Sequence, residues 1–200
     1  MVYRRTPRVQ ARLDAQRATI VAAAAELLAE RGYAGCSMAS VASRAGIAAG
    51  TVYNHFASKA ELAGEVFRSV VTHEVAVVRA AAATGSAVER VTAVVETFAG
   101  RALKSPRRAY ALLAEPVDPV IEVLRLEFRR AFRDVLTDAI AAGVATGELP
   151  PQNADHVAAA LVGALGEALI GPLATGEDAD TIPTLLTFTL RAIGAEHADA

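Results

Sequence analysis

Apolar residues along this chain recur every three or four positions, the period of a helix that buries one face. Ile20, Ala24, Leu27 and Leu28 mark such a stripe, predicting a first helix over residues 14–31 that stops at Gly32. Ser37 is placed to cap a short second helix with Val41, Ala42 and Ala45 turned inward, and Gly46 ends it, because glycine accepts the backbone of a tight turn. A third short helix follows over residues 49–56. Ser58-Lys59-Ala60-Glu61 has the form of a capping box and opens a long helix to about residue 83, striped by Leu62, Val66, Phe67, Val70, Val71 and Val78. At 1.5 Å per residue that helix spans roughly 39 Å, enough to join two domains. A second capping box, Ser86-Ala87-Val88-Glu89, starts a helix to about residue 103. Ser105-Pro106 and Asp118-Pro119 each place a capping residue before a proline at the first helical position, with a break at Glu115-Pro116 between them. The Asp118 helix carries Leu124, Phe128, Phe132, Val135 and Ile140 to Gly143. Beyond Pro150-Pro151, helices are expected over residues 153–170 and 181–195. The fold class is therefore all-α, with nine helices, no strand alternation and no repeat of fixed period.

Composition agrees. Of 200 residues 53% are hydrophobic and 21% charged, which supplies a sizeable core and excludes collagen-like or wholly disordered chains. The apolar excess is mostly alanine, the strongest helix former. No run of 18 apolar residues is free of a charge or helix breaker, so no membrane span is expected, and the first residues lack the apolar core of a secretory signal. The single cysteine, Cys36, excludes an internal disulfide and fits a reducing cytoplasm.

The net charge of −2 hides an asymmetry. Residues 1–60 carry +5 and residues 61–200 carry −7. A basic head on an acidic body suits a phosphate-binding module joined to a separate ligand or partner domain. The expected division is a basic arm over residues 1–13, a head over residues 14–60 and a helical body over residues 61–200. Arg4, Arg5, Arg8 and Arg12 are open to two readings, an arm over phosphates or in the minor groove, or a solvated tail.

Residues 37–56 supply the chemistry. Two short helices joined by a glycine-containing turn follow the helix-turn-helix plan, in which the second helix enters a major groove. The inward side of that helix is Val52 and Phe56. Its outward side, Gly50, Thr51, Tyr53, Asn54 and His55, offers small or hydrogen-bonding groups and no large aliphatic side chain.

The segment A-G-I-A-A-G-T-V-Y-N-H-F-A-S-K-A-E-L, residues 45–62, resembles the DNA-binding stretch of the TetR (tetracycline repressor-like) transcriptional regulators, and residues 20–33, I-V-A-A-A-A-E-L-L-A-E-R-G-Y, resemble their first helix. The likeness covers about residues 14–64. It implies that Ser37 caps the second helix, its hydroxyl and amide meeting a phosphate, and that Thr51, Tyr53 and His55 occupy phosphate and base contact positions. Lys59 falls on a lysine that contacts phosphate. Gly50 and Asn54 face the groove, where asparagine can pair with adenine, and Ala39 and Arg44 are secondary candidates. Asn54 lies at a variable position of the family pattern, so the operator sequence does not carry over. The stretch A-L-L-A-E-P-V-D-P, residues 111–119, is similar to that of actinobacterial members.

The resemblance further implies a homodimer on a palindromic DNA operator and a body that binds a small-molecule effector, with repression as the usual outcome. For the dimer the last two helices are the candidates. Ala158, Ala159, Ala160, Gly163, Ala164 and Gly166 make one nearly flat, and Ile182, Leu185, Leu186, Leu190 and Ile193 give the other an apolar face. Between the long helix and the Asp118 helix an apolar pocket is expected, with Phe67, Phe98, Tyr110, Leu113, Leu124, Phe128 and Phe132 as candidate walls and Arg125, Glu127, His156 or Glu167 as polar anchors. His73 and His156 read as surface and interface residues. No metal or cofactor is expected. The chain has no dinucleotide, Walker, nucleophile-elbow or zinc-protease motif, so an enzyme is not expected. Cys36, near the start of the second helix, reads as a buried structural thiol. The alternative function is an all-helical binding or interaction protein without operator binding.

Overall fold

The structure is a computed structural model that describes residues 6–176 and 179–195. Nine helices account for its order and no strand occurs among the described residues: α1 Pro7–Gly35, α2 Met38–Ala45, α3 Ala49–His55, α4 Lys59–Ala81, α5 Ala87–Lys104, α6 Pro106–Leu113, α7 Pro119–Thr146, α8 Ala154–Thr175 and α9 Thr181–Ala192.

Several ends differ from the sequence expectation. Helix α1 starts seven residues early, at Pro7, since proline at the first helical position lacks only an N–H that would be unpaired anyway. Arg8 and Arg12 therefore lie on the exposed face of a helix and not in an arm, while Arg4 and Arg5 lie outside the described residues. Gly32 interrupts the helical backbone as expected, but helical turns resume to Gly35. Helix α7 passes Gly143 because the apolar stripe continues to Val144. Helix α8 passes residue 170 through Pro172 because Leu161, Leu165, Leu169 and Leu173 form one buried row. Neither Ser105 nor Asp118 caps its helix with its side chain. At Ser58 the hydroxyl accepts the Glu61 N–H (3.1 Å), but the Glu61 carboxylate takes the Ala57 N–H (2.7 Å) instead of completing the box. The Ser86 box is complete in both directions.

The first three helices close around Ile20, Ala24, Leu27, Val41, Val52 and Phe56, yet this core continues into Leu62, Val66 and Phe67 of α4, Leu112 of α6 and Ile121 of α7. A three-helix head of about 50 residues buries a small share of its surface by itself, and its floor is built from the body. The apolar boundary therefore falls beyond residue 60. In the body α7 packs against α4, α5 and α8, and α9 against α5 and α8. Glu74 of α4 ties α5 and α6 to it through Arg101 (2.9 Å) and Arg108 (3.4 Å). Helix α8 is the one described helix long and apolar enough to cross a bilayer, with a mean hydropathy of 1.8. It packs on α5, α6, α7 and α9 along its leucine row.

Candidate nucleic-acid interface and ligand cavity

The turn between α2 and α3 is fixed by the backbone. Gly46 adopts φ 66°, ψ 31°, the left-handed conformation that favours glycine, and Ile47 donates back to Ala42 O at 3.0 Å. Val52 and Phe56 are fully buried, anchoring α3. Its other side leaves Gly50 and Asn54 exposed, Tyr53 exposed by 56%, and Thr51 and His55 half-buried. Ala39 is also exposed. Ser37 caps α2, its hydroxyl accepting the Ser40 N–H at 3.1 Å; its own amide donates to Ser40 Oγ at 2.9 Å and so is not free for a phosphate as expected.

Three expected DNA contacts are engaged within the protein. The His55 ring meets Gln16 Oε1 at 2.9 Å, and Arg17 donates to the His55 carbonyl at 3.0 Å while covering the Phe56 ring at 4.1 Å. His55 thus locks α3 onto α1 as well as facing outward. Arg44 turns away from α3 to Glu26 (3.1 Å) and Glu30 (2.6 Å), whose hydrogen bonds and charges push its pKa up. These pairs join α2 to α1. Lys59, at the first turn of α4, rests its ammonium 4.0 Å over the Tyr33 ring. Gln16, Arg17 and Tyr33 were not foreseen. Gln16 and Arg17 do stand one turn before Ile20 on its own stripe, which is the signal that marks them.

Tyr33 connects the head to the body. Its hydroxyl donates to Asp118, and burial first, then that hydrogen bond, push its pKa up. The Glu115 carboxylate accepts the Tyr33 N–H at 2.7 Å and the Ala34 N–H at 3.0 Å, filling the end of α1. Asp118, expected to cap α7, is used here instead. The segment that carries both acids, residues 111–118, is held from behind by Arg125, which donates to the carbonyls of Leu112 (2.9 Å), Ala111 (2.8 Å) and Glu115 and pairs with Glu122.

Arg125 also lines a cavity of about 270 Å³ between α5, α6, α7 and α8. Phe98, Leu113, Arg125, Phe128, Phe132 and Glu167 line it as the sequence suggested. Phe98 and Phe128 each meet Phe132 edge-on, with centroids 4.8 and 4.6 Å apart. Five expected members are elsewhere. Phe67 is fully buried in the head's core and Leu124 packs against the same core, because the head needs them as its floor. Tyr110 packs against the α5–α8–α9 cluster. Glu127 joins Phe67, Leu124 and Phe128 along a separate groove between α4 and α7, and His156 is exposed at the start of α8. Arg129, one turn after Arg125, lines the cavity and was missed, though the i,i+4 spacing was visible.

The expected dimer face is also redrawn. Leu185 and Ile193 are buried within the protomer, and Ile182, Leu186 and Leu190 pack half-buried, because α9 turns its apolar face onto α5 and α8. Ala158 is fully buried and Ala164 half-buried, while Gly163 and Gly166 line the cavity. The surface left outward holds Ala159, Ala160 and Ala168 of α8, with Pro183, Thr184 and Phe188, 47% exposed, of α9.

A short glycine-turned helix pair presented on a helical body defines a helix-turn-helix protein. Residues 20–66 match the profile described as bacterial regulatory proteins, tetR family. It is similar to the HTH-type transcriptional repressor KstR2 of Mycobacterium tuberculosis, 38% identical over 61 residues that make up 30% of each chain. It is also similar to the HTH-type transcriptional activator FasR of Mycolicibacterium smegmatis, 37% identical over 86 residues, 42% of this chain and 39% of that one. The chain thus spans well under half the length of these relatives. In fold the likeness is nearly complete. FadR from Bacillus subtilis, a transcriptional regulator solved in complex with stearoyl-CoA, superposes with a TM-score of 0.76 at 17% identity, covering 90% of this chain and 98% of that one.

Proposed function

We propose that this chain is a homodimeric, sequence-specific DNA-binding regulator, a repressor that leaves its palindromic operator when an apolar or amphipathic small molecule enters the cavity of the body. The observation that carries the reading is α3. Its Gly50, Tyr53 and Asn54 are exposed on a helix pinned by Val52, Phe56 and His55, in a head of net charge +5. A rigid outward face of small and hydrogen-bonding groups suits base edges and phosphates. Tyr53, Thr51 and Lys59 act chiefly on phosphates and Asn54 on a base, with His55 setting the angle of α3.

One recognition helix covers few base pairs, so two chains about a two-fold axis are required for a specific site. The outward face of α8 and α9 is where they would meet, its small residues allowing close helix approach, and this accounts for the apolarity of α8 without a bilayer. A protein of this kind works in the cytoplasm and binds without turnover. Release is a population shift: an occupant favours a body conformation that carries the two heads out of register, and a coupling of about 1–3 kcal/mol weakens DNA binding about 5–150-fold.

The test combines mapping of bound genomic fragments with anisotropy on the fragment recovered. Tyr53→Phe and Lys59→Ala weaken binding to every duplex alike, whereas Asn54→Ala shifts the preference at one base pair by about 1–3 kcal/mol. Wild-type affinity and preference in all three variants would overturn the reading.

A further inference from the structure

The wall of the cavity is out of charge balance. Arg125 and Arg129 stand one turn apart on α7 and both line it, and the other ionisable group on the wall is Glu167 of α8. Arg125 is 7% exposed, and its ion-pair partner Glu122 points away from the cavity with half of its side chain, 52%, in solvent. Arg129 enters no ion pair among the described residues. Burial pulls the Arg125 guanidinium below its ordinary range, Glu122 opposes this, and the like charge of Arg129 adds to it. Glu122 offsets Arg125 from outside the lining, so the wall itself keeps two guanidiniums against the one carboxylate of Glu167, an excess that a ligand anion would meet. Around this pair the wall is hydrocarbon: Phe98, Leu113, Phe128 and Val162.

We infer that the occupant is an apolar molecule ending in an oxyanion, seated on Arg125 and Arg129, and that its pull on Arg125 is passed through residues 111–115 to the grip of Glu115 on the head. The relay rests on the DNA-binding reading; the oxyanion seat does not. Three N–H bonds of Arg125 go to neutral main-chain carbonyls, at Ala111, Leu112 and Glu115. An oxyanion forms bonds roughly twice as strong as a neutral acceptor, so it competes for the same donors. The segment so loosened ends in Glu115, whose carboxylate holds the Tyr33 and Ala34 amides, and Tyr33 in turn supports Lys59. The path from cavity to DNA-facing lysine runs through four residues.

Calorimetry of the full chain without DNA, using octanoate, 1-octanol and octylammonium as probes, tests the seat. Octanoate is expected to bind at least about tenfold more tightly than the other two. The exposed Arg129→Gln substitution removes about tenfold of octanoate affinity and leaves 1-octanol unchanged, with a melting curve to confirm folding. Equal binding of the three probes, preference for the alcohol or the amine, no binding of any, or an unaltered Arg129→Gln variant would each overturn the seat. For the relay, octanoate weakens operator binding of the wild type more than about fivefold, while Glu115→Ala binds octanoate yet loses most of that response. A wild type that binds octanoate and holds its operator as before overturns the relay alone. A chain that binds octanoate but no duplex leaves the seat standing and refutes the DNA-binding reading.

Discussion

Gly32 shows how one residue can tie the head to the body. Its φ of 70° with ψ −175° lies in a region essentially closed to other residues, and a Cβ there would stand 2.7 Å from the Glu115 carboxylate. The absent side chain thus serves two ends: it lets α1 break, and it lets Glu115 reach the two amides beyond the break. Gly32→Ala is expected to destabilise the protein by about 1–3 kcal/mol from backbone strain, read as a fall in melting temperature. It also displaces Glu115, so the operator response to a cavity ligand falls together with stability. An unchanged melting temperature would show that the backbone relaxes without cost. Arg44 carries the opposite lesson. As sequence it is a basic residue on a DNA-bracing helix; in space Glu26 and Glu30, fourteen and more positions earlier, claim it.

At the scale of elements, most helices were legible because their punctuation is local. Ser37, Gly46 and Ser86 act within four residues of themselves, so a reading of neighbours finds them. What was not legible depends on partners far along the chain. Asp118 has the form of a cap but goes to Tyr33, 85 positions away. Phe67 has the spacing of a cavity wall but is taken by the head. Leu185 and Ile193 look like an interface and are core, because a stripe reveals that a face is covered and not by what. Glu148 is a further long-range device. It sits between α7 and α8 and accepts the Ala87 and Val88 N–H groups at 2.7 and 2.9 Å, capping α5 from 60 residues away. These two hydrogen bonds hold its pKa below the ordinary value of about 4.3. The folded state therefore gains from the ionised form at neutral pH and loses that gain as pH falls through the depressed value. Glu148→Gln is expected to cost about 0.5–1 kcal/mol at pH 7, a small figure because the group is solvent-screened. Denaturant titrations of the two proteins should converge as pH falls through that depressed value; a gap independent of pH would assign the effect to packing.

For the whole molecule, the formal +5 of residues 1–60 overstates the field available to DNA. Arg44 is neutralised by Glu26 and Glu30, and Arg17 meets Glu65 at 3.4 Å. Among the described residues of the head, Lys59, Arg8, Arg12 and Arg31 enter no ion pair, and on the DNA-binding reading they are the cations left for phosphates. The head shares its core with the body through Leu112 and Ile121, and Leu112 also lines the cavity, so one apolar cluster touches both α3 and the cavity wall. The central claim is that two copies of this head grip one duplex through α3 and its neighbouring cations. It is tested most directly by measuring the affinity of the purified chain for its recovered genomic fragment between 50 and 200 mM salt, with the stoichiometry determined alongside. The account predicts two chains per half-site pair and an affinity that falls at least about tenfold across that range, as phosphate-bound counterions cease to be released to advantage. A monomer, or a chain that ignores every duplex at the low end of the range, would contradict it.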